Sequence, residues 1–232
     1  MGLLLIFRCE CVRSLAEGGS ARSKEANNDM QGANTDTIDS LMDDLQNGDR
    51  GIVRRAVDAL IARGSREPGL VESLESRLRD DATRWRWPVA YTLGHLTAAS
   101  GDCLEVLAGG LGSDDQDVRW ATQRLLTELG GSQAQARNVL LTLLHKGGAT
   151  QRRMAIYCLR DVGLSDDSIA EEVVEACHDL EPLVRVAAVT SLARRQPLPA
   201  RAMPILQRLA DADPDGRVRN AAHFVLGRVF EN

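Results

Sequence analysis

One short pattern recurs six times along the 232 residues: a residue, Arg, any residue, then Ala or once Pro, at the head of an apolar helical stripe. The copies are Val53-Arg54-Arg55-Ala56, Trp85-Arg86-Trp87-Pro88, Val118-Arg119-Trp120-Ala121, Arg152-Arg153-Met154-Ala155, Val184-Arg185-Val186-Ala187 and Val218-Arg219-Asn220-Ala221. Their first residues lie 32, 33, 34, 32 and 34 apart. A near-constant period of this size requires stacked two-element units that bury a continuous core against their neighbours, an all-α solenoid of about six helical hairpins.

Within a unit the first segment reads as an amphipathic helix, as in Ile38, Leu41, Met42 and Leu45 or in Val139, Leu140, Leu143 and Leu144. The second helix begins behind an acid that can cap free amides. Asp49, Asp81, Asp114 and Asp213 stand five or six residues before their Arg, and the fourth unit has Gly147-Gly148-Ala149-Thr150 instead. With the first motif residue as position 0, positions 0, 3, 4, 7, 8 and 11 share one face at about 100° per residue. Val118, Ala121, Thr122, Leu125, Leu126 and Leu129 fill them in the third unit, and the small residue at position 3 admits a close helix approach.

Asp114-Asp115-Gln116-Asp117-Val118-Arg119-Trp120-Ala121 and Asp213-Pro214-Asp215-Gly216-Arg217-Val218-Arg219-Asn220-Ala221-Ala222 resemble the HEAT repeat, more narrowly the HEAT-like repeats of phycobilisome (bilin) lyases. The resemblance covers about residues 36–232 and implies a right-handed α-solenoid. It further implies that the recurrent Arg54, Arg86, Arg119, Arg153, Arg185 and Arg219 hold the stack by pairing with nearby acids and carbonyls. Activity does not follow from it, because one unit serves many unrelated partners.

A net charge of −5 opposes nucleic-acid binding, which depends on clustered Lys and Arg. Cys9, Cys11, Cys103, Cys158 and Cys177 form neither a disulfide framework nor a zinc spacing, which points to the reducing cytoplasm. The apolar opening Leu3-Leu4-Leu5-Ile6-Phe7 is too short to be a signal core or a membrane span. Residues 14–35 are polar and rich in Gly, Ser and Asn, so residues 1–35 read as a disordered leader, with Met30 as an alternative start, and residues 36–232 as the repeat domain.

Chemical motifs are missing. His95, His145, His178 and His223 form no His-Glu dipeptide, so the iron ligands of the HEAT-repeat hydroxylase that modifies a lysine in a translation factor are absent. Neither a phosphate loop, a nucleophile elbow nor a metal-spaced His pair occurs. Catalytic and metal-ligating residues are therefore assigned to none.

A binding surface is legible instead. Positions 2 and 9 point away from the buried stripe, toward the concave side. Position 2 reads Arg55, Trp87, Trp120, Met154, Val186 and Asn220, an apolar run over four units, while position 9 is mostly small. Tyr91, Arg124, Tyr157, Val189, His223 and Phe224 flank it, so five of the chain's eight aromatic residues map here. Trp85, at position 0, belongs to the core. Side-by-side packing of Trp87 and Trp120 is the alternative to an exposed row.

The expected function is a non-catalytic scaffold that grips a protein or peptide segment, without cofactor, through Trp87, Tyr91, Trp120, Arg124, Met154, Tyr157, Val186 and Phe224. The lyase resemblance implies a second reading, a bilin lyase or chaperone-like factor holding an open-chain tetrapyrrole against the groove aromatics and Arg124. A HEAT-like DNA glycosylase is a third, opposed by the acidic charge.

Overall fold

The computed structural model describes residues 37–80, 86–164, 166–195 and 197–230. The leader with its Met30 start, Cys9, Cys11, Asp81 and Trp85 lie outside the described residues.

Twelve α-helices among the described residues pair into six hairpins. These are α1 (Ile38–Asp44) with α2 (Arg50–Arg63), α3 (Leu70–Arg79) with α4 (Arg86–Leu96), and α5 (Gly101–Gly110) with α6 (Gln116–Ser132). Then follow α7 (Ala134–Lys146) with α8 (Ala149–Gly163), α9 (Asp167–Glu175) with α10 (Pro182–Leu192), and α11 (Ala202–Ala212) with α12 (Gly216–Phe230). The even-numbered helices pack on one another in an unbroken row from α2 to α12, whereas substantial contact between odd-numbered helices is confined to α3–α5 and α5–α7. The layer whose members approach more closely lies on the inside of the curve, so the even-numbered helices form the concave face. The α-solenoid read from the repeat is the architecture observed.

The stripe at positions 0, 3, 4, 7, 8 and 11 is what the hairpins bury, with Val53 and Val118 at position 0 only half-buried. Leu125, Leu126 and Leu129 are buried in α6, Ala56, Val57 and Leu60 in α2, and Val218, Ala222 and Val225 in α12. Pro88 is buried in the first described turn of α4.

Two expected caps move by a residue or two. Asp49 caps α2, accepting from the amides of Gly51 and Ile52 at 2.7 and 3.2 Å. Asp115 rather than Asp114 caps α6, accepting from the Asp117 amide at 2.9 Å, because the Ser113 hydroxyl takes the Asp115 amide and sets the turn. At α12 the Arg217 amide donates to Asp215 at 2.8 Å, not to Asp213, which is drawn into an ion pair. In the fourth unit, which has no acid, the Gln151 side chain turns back to accept from the Gly148 amide at 3.0 Å.

The recurrent arginines brace the turn within their own hairpin. Arg86 donates to the Leu78 carbonyl at 3.0 Å, Arg119 to that of Ser113, Arg185 to those of Asp179 and Leu180 at 2.8 and 3.1 Å, and Arg219 to that of Asp213 at 2.7 Å. Arg185 also reaches forward to both carboxylate oxygens of Asp213, at 2.8 Å each. This two-point clasp joins one hairpin to the next.

In the fourth unit the clasp belongs to Arg152, not to the expected Arg153. Arg152 donates to the Gly147 carbonyl at 2.9 Å and to both oxygens of Asp179 at 2.7 and 2.8 Å, as Arg185 does one unit later. Position 0 is therefore Gln151, and the stacking arginines 86, 119, 152 and 185 stand a uniform 33 residues apart. The shift moves Met154 from the groove to position 3, where it is 2% exposed and fills a contact that Ala121, Ala187 and Ala221 serve elsewhere. Arg153 takes the groove position in its place.

Candidate functional site

With the register set by the clasps, position 2 reads Trp87, Trp120, Arg153, Val186 and Asn220 from α4 to α12, and position 6 reads Tyr91, Arg124, Tyr157, Thr190 and Phe224. The residues of each helix at positions 2, 6 and 9 or 10 form a column about one turn apart on the concave face.

The α4 column is aromatic and fixed. Trp87 stacks on Tyr91 at 4.9 Å between centroids, and Tyr91 meets His95 edge-on at 4.7 Å. The Trp87 indole N–H donates to the Thr122 hydroxyl at 2.8 Å, and that hydroxyl donates to the Val118 carbonyl at 2.6 Å. Gly110, the last residue of α5, makes this possible: a Cβ there would lie 2.7 Å from the Thr122 oxygen and 2.8 Å from the indole nitrogen. Burial raises the Tyr91 phenol and lowers the His95 imidazolium pKa, so both rings are neutral at pH 7. Trp87 and Tyr91 are half-buried, and Trp87 is tied into the α4–α6 junction.

A different surface lies one junction on. Between α6, α8 and α10 is a hollow of about 500 Å³ lined by Trp120, Arg119, Arg153, Met154, Tyr157 and Arg160, with Gln116 and Thr190 at its edge. Trp120 is 48% exposed, while Met154 contributes only a buried floor. Arg160 lies 5.1 Å above the Tyr157 ring and holds Asp161 through two hydrogen bonds, at 2.7 and 2.8 Å. Of the remaining expected site residues, Arg124 pairs with Glu128 at 3.3 Å, Val186 is half-buried, and Phe224 is 61% exposed on α12. Trp120, Met154 and Tyr157 are thus brought together; Trp87, Tyr91, Arg124, Val186 and Phe224 do not line the hollow.

Arg153 and Arg160 are the lining residues that the repeat pattern missed. Reading the fourth unit one residue late put Arg153 on the stack and Asp161 at position 9. The uniform 33-residue step between arginines was the signal that could have found them. No group of three or more His, Cys, Asp and Glu side chains among the described residues is placed to hold a metal ion. Burial pushes the thiols of Cys103, Cys158 and Cys177 up to about 12, away from the reactive thiolate.

Residues 140–227, from α7 into α12, match the family model of HEAT repeats. The match is to the repeat that the resemblance implied, over that part of the chain, and the fold is an α-solenoid throughout the described hairpins. Among solved structures it is similar to the complex of CpcE and CpcF of phycocyanin lyase from Nostoc sp. PCC7120, with 21% identity over 90% of this chain and 81% of that one and a TM-score of 0.43. Human deoxyhypusine hydroxylase in complex with glycerol is 22% identical over 84% of this chain and 74% of that one, with a TM-score of 0.40. A designed armadillo repeat protein is 15% identical over 82% of this chain and 99% of its own, with a TM-score of 0.42. No curated protein matches the sequence. No helix among the described residues is long and apolar enough to cross a membrane.

Proposed function

We propose that this chain is a non-catalytic scaffold that binds a segment of a partner protein along its concave face. The observation that carries the reading is Trp120, a large ring 48% exposed at the lip of the hollow in the middle of the helix row. Trp is the residue type most enriched where interfaces concentrate their binding energy, and here it borders a concave hollow. The repeat architecture supports the same reading, since stacked hairpins present an extended concave surface.

Trp120→Ala should leave the melting temperature nearly unchanged and weaken binding to the partner by about 2 kcal/mol or more. Partner affinity equal to that of the unsubstituted protein would remove Trp120 from the interface and the proposal with it. An absorbance shift of an added open-chain tetrapyrrole, abolished by Trp120→Ala, would favour the pigment-carrier reading instead.

A further inference from the structure

From the same hollow, and resting on the scaffold reading, we infer that the bound segment is acidic: a Glu or Asp side chain docks on Arg153 while an apolar neighbour covers Trp120. Three guanidinium groups line the hollow, and no carboxylate among the described residues does. Their situations differ. Arg119 is engaged with the Ser113 carbonyl, and Arg160 is matched by Asp161.

Arg153 has neither kind of partner. Its Nε is shut off from solvent and makes no hydrogen bond, in a chain whose clasp arginines are met by carbonyls and carboxylates. The guanidinium therefore borders the hollow with its charge unmatched by any carboxylate or carbonyl, and an incoming acceptor can take it up. A guanidinium matches the two oxygens of a carboxylate, as Arg152 and Arg185 show on this chain with Asp179 and Asp213; on Arg153, whose Nε is closed off, the carboxylate meets the two Nη atoms. The net charge of −5 makes the contrast sharper: a locally cationic, aromatic-walled hollow on an acidic protein selects for an acid at that spot.

The test uses the full chain and fluorescein-labelled peptides about twelve residues long, long enough to cross several helices. One consists of Glu-Phe-Ser triplets, and a second carries Gln in place of Glu. Fluorescence anisotropy should show the Glu peptide binding about tenfold more tightly than the Gln peptide, the scale expected for a charge-assisted pair. Arg153→Gln should abolish that difference without moving the melting temperature, since Arg153 holds nothing in the fold. Arg160→Gln should reduce the difference, and about 0.5 M NaCl should screen it. Equal affinity for the two peptides, with Trp120→Ala weakening both and Arg153→Gln neither, would overturn the acidic preference and leave the scaffold reading standing. Failure of every peptide to bind would count against both. Tighter binding of oligo(dT) than of the Glu peptide, or peptide binding blocked by association with a second copy of the chain, would likewise overturn the inference.

Discussion

Arg185 and Asp213 form an ion pair taken almost wholly out of water, with side chains 9% and 3% exposed. Removing one partner of such a pair leaves the other as a buried charge without its counter-ion. Asp213→Ala should therefore cost about 3–5 kcal/mol by urea denaturation, and an unchanged midpoint would show that water replaces the carboxylate. Burial acts to raise the Asp213 carboxyl, but the Arg185 hydrogen bonds, the Asp215 amide and the guanidinium charge outweigh it and hold it below the usual range. Asp179 is depressed in the same way, with Arg152 and the Glu181 amide overcoming burial. The folded values lie below the unfolded ones, so this stabilisation is complete above about pH 4 and is lost as pH falls through the depressed values. Asp213→Asn should flatten the acid limb of the stability–pH curve; an unaltered acid limb would contradict the pairing.

At the scale of the element, two adjacent glycines at the end of α5 have different reasons to be there. A Cβ on Gly110 would meet the Thr122 hydroxyl and the Trp87 ring below 3.0 Å, while one on Gly109 would meet nothing within 4 Å. Gly110→Ala should destabilise by about 1–3 kcal/mol, as overpacking does, and Gly109→Ala should stabilise by up to about 1 kcal/mol through helix propensity. Thermal melts of the two variants moving together would show that the Trp87–Thr122 contact does not depend on Gly110. The helices themselves were legible in the sequence because the 33-residue period and the buried stripe are dense signals. What was not legible was a one-residue choice. Arg152 and Arg153 are adjacent and only Arg153 is followed by the expected Ala, just as Asp114 and Asp115 both offer a cap, and the turn that precedes each helix overrides the pattern. In the fourth unit that turn is Gly147-Gly148, capped by Gln151, so the usual acidic marker was missing where it was needed. The candidate site was half legible for the same reason: its rings follow from the period, and its unmatched arginine follows from the turn.

At the scale of the whole molecule, stability is built from neighbours. The clasps from Arg152 to Asp179 and from Arg185 to Asp213 join the last three hairpins in series. Asp179→Ala should speed amide exchange in α8, α10 and α12 and leave α2 and α4 unaffected, because coupling in a repeat array passes only between adjacent units. Uniform acceleration across the chain would mean that the array unfolds as one body. The even step of 33 residues from Arg86 to Arg185 carries a further consequence. Equal steps set equivalent groove positions on successive helices at a regular spacing, on the order of 8–10 Å for packed helices. An extended chain advances about 3.3–3.6 Å per residue, so a guest lying across the helices is in step with the groove every third residue. The solenoid is thus a ruler as well as a surface, and a segment whose side chains repeat in triplets is commensurate with it.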